Sequence, residues 1–285
     1  MRQRGGNDVD AIRIEHDGGV GILTLDRPER MNAMDVEMAH AFRSAGLQLA
    51  RDEAVRAIVV RGAGGVFSAG ADLRYVREGG TSADLGYLRP AGRQEAPGFG
   101  AAFQQILEYL HSGISELRRA PKPVLAAVDG VAAAGGFGIA MACDLVFASE
   151  RASFEWAYGK TGLTGAESST FLLPRLLGFR RAMDLVLRNP RLDAAAARDL
   201  GLVNEVFPTQ DFDARVRAEA QRLAEGPTAA FGVAKALMNR AAGLDRLEAH
   251  LEQELAELTR IADGADFAEG IESFLEKRPA RFGGR

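Results

Sequence analysis

The segment Pro123–Glu150, PVLAAVDGVAAAGGFGIAMACDLVFASE, constrains this chain more than any other. Val124–Val128 is a short apolar run entered through a proline, which suits a strand covered on both faces. Asp129–Gly130 breaks it. Gly135–Gly136 then opens a short helix of small and apolar residues, Phe137–Cys143, and a second buried strand follows. A helix N-terminus bare of side chains presents backbone N–H groups to any oxygen carrying partial negative charge. One Gly-Gly turn by itself is equally a device for close packing.

A second turn of the same kind lies upstream. Arg61–Leu73, RGAGGVFSAGADL, follows the apolar strand Ala57–Val60 and again ends in small residues before a new element. Two such turns, each offering one N–H, can clamp a carbonyl oxygen between them and stabilise the enolate or tetrahedral state of a thioester. FSAGADL followed by DGVAAAGG and MACD resembles the crotonase (enoyl-CoA hydratase/isomerase) superfamily, and the resemblance runs from about Ile12 to the C-terminus. It implies an α/β fold, a crotonase-type spiral of ββα units with a C-terminal helical region. It also implies a homotrimer or hexamer, and coenzyme A as part of an acyl-CoA substrate rather than as a held cofactor.

The rest of the sequence is compatible with that. Residues 1–10 read as a polar tail, 11–207 as the core with the thioester site, and 208–285 as a helical, oligomerising region. Ala11–Glu15 and Val20–Leu25 flank a hairpin signal, and Asp35 is placed to cap a helix running to Arg51. Arg74–Gly100 shows no period and reads as a mobile loop or lid; Ala101–Arg119 has helical spacing. Ser153–Gly165 reads as a loop, Ala166–Leu177 as a helix, and Val203–Phe207 as a last strand. The 285 residues carry a net charge of -4, which argues against a nucleic-acid partner. The single cysteine, Cys143, reads as a buried small hydrophobe, and no Cys/His cluster has metal-ligand spacing. The N-terminus lacks the apolar stretch of a signal peptide and no run reaches membrane-spanning length, so the expected setting is cytoplasmic.

By resemblance, the oxyanion donors are the Ala71 and Gly135 N–H groups. Arg30, Met31 and Ala33 of RPERMNA, Ala69, Asp72 and Leu73 of FSAGADL, and Phe274 and Lys277 of the terminal helix border the CoA. Ala134 stands where many members have a third glycine. Hydratases of the family use two glutamates, and those positions here hold Gly138 and Tyr158. Other members place a carboxylate where the next helix opens. The equal-length match is Ala166, with Glu167 one residue on, and one helical step turns a side chain by about 100°. Glu167 is therefore either the catalytic carboxylate or a charge favouring its helix N-terminus. Tyr158 reads as acyl-pocket wall or hydrogen-bond donor, Glu155 as a solvated strand-end charge, and the four histidines as surface or packing residues. Double-bond isomerisation, for which one carboxylate suffices, is the first expectation. Hydrolysis or other enolate chemistry on a bulky acyl-CoA, and acyl-CoA binding without catalysis, are the alternatives.

Overall fold

The computed structural model describes residues 11–80 and 98–284. Strands β1 (Ile12–Asp17) and β2 (Val20–Leu25) form the expected hairpin, with Asp17 opposite Val20. Strands β3 (Ala57–Gly62), β4 (Val124–Val128), β6 (Leu145–Ser149) and β9 (Glu205–Phe207) continue from β2 in parallel. The result is a six-stranded sheet of order β1-β2-β3-β4-β6-β9. A smaller sheet, β5 (Val131–Ala133), β7 (Ser153–Glu155) and β8 (Leu192–Asp193), stands beside it. Each of the strands β4 and β6 is thus followed by a short strand in the second sheet, which is the ββ step of the spiral.

Both faces of the large sheet are buried, which is why β3 and β4 read as continuous apolar runs. Ile58, Val60, Val124, Ala126 and Val128 belong to the main core, on the side of helices α1 (Val36–Arg51) and α3 (Phe99–Arg119). The alternate residues Ala57, Val59, Leu125 and Ala127 pack with Phe147 and Phe207 under α8 (Phe212–Glu225). Asp35 caps α1 as expected, accepting from Met38 N–H at 2.9 Å. The chain closes with α9 (Thr228–Ala241), α10 (Leu247–Ala262) and α11 (Ala265–Glu276).

Several boundaries differ from expectation. The stretch assigned to a loop from Arg74 begins inside helix α2 (Leu73–Arg77), whose N-cap Asp72 accepts from Arg74 and Tyr75 N–H. Residues 81–97, the body of the expected lid, lie outside the described residues, as do residues 1–10. Helix α3 starts at Phe99 rather than Ala101, and β9 at Glu205 rather than Val203. Ser153–Gly165 is not all loop, since β7 pairs there with β5 and a 3-10 turn spans Tyr158–Thr161. Strands of three residues are too short to show a period. The helix read from Ala166 begins at Ser169, as α5 (Ser169–Leu177). Helices α4 (Gly135–Ala142), α6 (Phe179–Arg188) and α7 (Ala194–Asp199) are the remaining α-helices among the described residues. None of the described helices is long and apolar enough to cross a membrane.

Candidate active site

The site is assembled from three loops held together by backbone hydrogen bonds. Asn32, fully buried, donates from Nδ2 to the carbonyls of Ala63, Val66 and Phe67 at 3.1, 2.7 and 3.2 Å, and accepts from Arg27 N–H. It pins Arg27–Ala33 to the loop after β3. Ala69 N–H donates to Met31 O, Met34 N–H to Gly70 O and Asp72 N–H to Met34 O. In such an extended pairing successive N–H groups point to opposite sides. Ala71 N–H therefore faces away from Met34, and it has no acceptor among the described residues.

The second donor loop is pressed against the first. Ser68 N–H donates to Val131 O and Ala133 N–H to Ser68 O, so FSAGADL lies along β5. At Gly70, φ is +91° and a Cβ would come within 2.9 Å of Gly135 N; at Gly136 a Cβ would strike the Ser68 carbonyl. Only glycines allow this approach. It brings the Ala71 and Gly135 N–H groups to neighbouring backbones, with Gly135 at the start of α4, where the dipole also favours negative charge. Ala134 occupies its turn at φ +46°, ψ -118°, a region that glycine enters at far lower cost.

Glu167 projects into the same space. It is 3% exposed, and its Oε1 lies 2.9 Å from where a Cβ on Gly135 would stand. Tyr158 O–H donates to its other oxygen, Oε2. The backbone makes this aim possible: Glu167 and Ser168 are both left-handed, at φ +48° and +65°, so Glu167 precedes α5 instead of lying on it. The angular argument from a regular helix does not apply. Gly138 takes on a different meaning as well. A Cβ there would sit 2.6 Å from Glu167 O and 2.7 Å from Glu167 Cβ. The space in which a hydratase glutamate would begin is filled by the backbone of Glu167.

Burial sets the titration of this pair. It pushes the Glu167 carboxyl up to about 8, against the pull of the Tyr158 hydrogen bond, while the nearby Glu254 carboxylate pushes it further the same way. Tyr158 is held well above the usual phenol range by burial and by the Glu167 charge. For His111, on α3, the packing half of the reading of surface or packing histidines holds and the surface half is corrected. His111 is buried, pushed down to about 3 mainly by desolvation, and its neutral Nε2 accepts the Glu167 N–H at 3.1 Å. Glu155 is corrected too: its side chain is 12% exposed and ion-paired with Lys160. Cys143 is buried as expected.

Two cavities meet at this point. An inner one of about 230 Å³ is walled by Phe103, Tyr158, Leu163, Leu258, Ala134 and Glu167. An outer groove of about 450 Å³ is lined by Arg30, Ala33, Asp72, Arg74, Leu275 and Lys277. Met31, Ala69, Ala71, Leu73 and Phe274 border both. All twelve residues singled out from sequence therefore lie around one continuous space. Phe274, 55% exposed, stands where the two halves join. The residue set omits His111 and Glu254. Glu254 interrupts the buried stripe Leu247, Leu251, Leu258 of α10, and a carboxylate on an apolar helix face is the signal that marks it.

Comparisons with known proteins give the family and the fold. The Enoyl-CoA hydratase/isomerase family model matches residues 15–285. The chain is 39% identical to a "Probable enoyl-CoA hydratase" of Rhodobacter capsulatus, over 96% of this chain and 98% of that protein. It is 34% identical to the "1,2-epoxyphenylacetyl-CoA isomerase" of Escherichia coli, over 94% and 96%. Among solved structures it resembles an enoyl-CoA hydratase from Mycobacterium avium subsp. paratuberculosis, with TM-score 0.82, 30% identity and coverage of 95% and 98%. This chain belongs to the enoyl-CoA hydratase/isomerase family of the crotonase superfamily, and it is an enzyme of that family.

Proposed function

We propose that this enzyme shifts a double bond along an acyl-CoA, with Glu167 as the single acid-base group. The CoA moiety lies in the outer groove, where Arg30 and Lys277 offer positive charge, and the acyl chain enters the inner cavity past Phe274. Ala71 and Gly135 N–H bind the thioester oxygen. Glu167, ionised, takes a proton from the α-carbon; the C–H bond breaks and its electrons pass into an enolate held by the two donors. The proton returns from Glu167 to the γ-carbon, and the double bond moves from β,γ to α,β. No water or second carboxylate is consumed. A carboxyl raised toward neutrality by burial suits both halves of that exchange.

The observation that carries this reading is the position of Glu167 Oε1. It lies against the Gly135 backbone and accepts no hydrogen bond among the described residues, while Oε2 is engaged by Tyr158. The test is deuterium uptake in heavy water from 3-hexenoyl-CoA, followed by mass spectrometry. Wild-type protein should incorporate deuterium, and Glu167→Gln should lose turnover while keeping CoA-ester affinity. An unchanged rate in Glu167→Gln removes it from the mechanism.

Uncovered apolar side chains support an assembly of several chains. Phe179, Met183 and Leu187 on α6, and Val233, Leu237 and Met238 on α9, are exposed, and patches of this kind mark contacts between chains. We infer a homotrimer or hexamer, the assembly that the family resemblance implies, read by light scattering; a monomer at micromolar concentration excludes it.

A further inference from the structure

The turn that aims Glu167 is held from outside itself. Two consecutive non-glycine residues at positive φ persist only when their surroundings over-determine them. Ser168, the N-cap of α5, makes no side-chain cap hydrogen bond. The cap comes instead from Glu254, 86 residues away on α10: Oε2 accepts Ser168 N–H at 2.9 Å, and Oε1 accepts Thr170 N–H at 3.0 Å together with the Thr170 hydroxyl. His111, on α3, accepts the Glu167 N–H, and its Nε2 lies 3.9 Å from Glu254 Oε2. Three N–H groups of the turn, those of Glu167, Ser168 and Thr170, are thus held by two side chains from two different helices.

We propose that Glu254 is a positioning residue for catalysis: its carboxylate, with His111 beside it, locks the Glu167–Ser168 turn so that the Glu167 carboxylate stays against Gly135. The proposal rests on Glu167 being the acid-base group. A residue that merely capped α5 would affect stability alone. A positioning residue affects the reaction, because misplacement of a reacting group by about 1 Å costs about a hundredfold in rate. Its charge also reaches Glu167. The groups facing Glu254 are His111 from α3, the cap residue Ser168, Thr170 and Phe171 from α5, and His250 on its own helix, with Glu167 and Tyr158 beyond. The Glu254 charge raises the Glu167 carboxyl, so removing it lowers the pH at which Glu167 ionises.

The experiment compares the full-length wild type with Glu254→Gln, His111→Leu, His111→Gln and Glu167→Gln. Each is assayed for deuterium uptake from 3-hexenoyl-CoA across pH and for CoA affinity by calorimetry. A glutamine at 254 can accept only one of the two N–H groups. Glu254→Gln should bind CoA like wild type, exchange about a hundredfold more slowly, and show its pH midpoint displaced downward. If Glu254→Gln does not fold, the His111 pair decides: leucine should slow exchange, and glutamine, whose Oε1 can accept the Glu167 N–H, should restore most of it. A Glu254→Gln protein with wild-type rate and midpoint but lower thermal stability overturns the proposal, as do equal rates in the two His111 variants. Inactive Glu167→Gln beside fully active Glu254→Gln overturns the proposal alone, whereas active Glu167→Gln overturns the reading beneath it.

Discussion

Gly138→Ala tests whether the glycine at a hydratase-type carboxylate position is a vacancy or a requirement. The added methyl would stand 2.6 Å from Glu167 O and 2.7 Å from Glu167 Cβ. Carbon contacts settle at about 3.5–4.0 Å, so the Glu167 turn or α4 must recede by roughly 1 Å. Overpacking of this kind in a close-packed interior costs about 1–3 kcal/mol, and α4 has no slack on its other side, where Gly136 abuts Ser68. The melting temperature should fall by about 2–4 °C for each kcal/mol. The same shift displaces the carboxylate from Gly135, so deuterium exchange should drop by about a hundredfold, with CoA affinity unchanged because the outer groove is untouched. Calorimetric melting and exchange measured on one preparation give both numbers. A Gly138→Ala protein with wild-type stability and rate would refute the packing argument and, with it, the claim that Glu167 fills the space of the missing glutamate.

Other outcomes follow from the same geometry. Tyr158→Phe deletes the hydrogen bond that favours the ionised form of Glu167, so the exchange rate should reach its plateau at a higher pH than in wild type, above about 8; a midpoint that stays or falls contradicts the pairing. Because folding raises the Glu167 carboxyl to about 8, the native state holds a proton that the unfolded chain has already released between its ordinary carboxylate range and that value. Stability should therefore decline as pH rises through that window, and chemical denaturation of Glu167→Gln should show a shallower decline. Ala134→Gly relieves a residue at φ +46°, ψ -118° and should stabilise the protein by about 1 kcal/mol with little change in exchange; a lower melting temperature would count against strain at that turn.

How much of this could be read from residues alone depends on whether the cause was local. The two glycine turns and the capped helix after Asp35 follow from short-range chemistry, and so do the strands with apolar residues on both faces. Each appears close to its expected position. The glutamate was visible, but its direction was not. Its aim depends on two left-handed residues, and nothing in GAESS demands them; the side chains that hydrogen-bond the turn, Glu254 and His111, lie 87 and 56 positions away, and no spacing rule connects them to Glu167. The helix start has the same origin, since periodicity places it at Ala166 while the turn at Glu167 and Ser168 delays it to Ser169. Strands β5 and β7, of three residues each, carry too little pattern to be read from sequence, although the pairing of β5 with β7 carries the loop on which Tyr158 sits.

Helix α8 leaves its mark on how such a chain reaches this state. Gln221 Nε2 donates to Asp17 O across 204 positions, and Arg56 reaches Gly226 O across 170. The apolar underside of the large sheet, with Val20, Val59, Leu125 and Phe147, packs against Phe212, Val216, Ala220 and Ala224 of this helix. During synthesis from the N-terminus, four of the parallel strands exist long before their cover does, and a ribosome adds only about 5–20 residues per second. For several seconds, at that rate, the residues of those strands are made and their cover is not. The protein's yield in a cell should be governed by whatever shields that face until residue 225 emerges, more than by the stability of the finished fold.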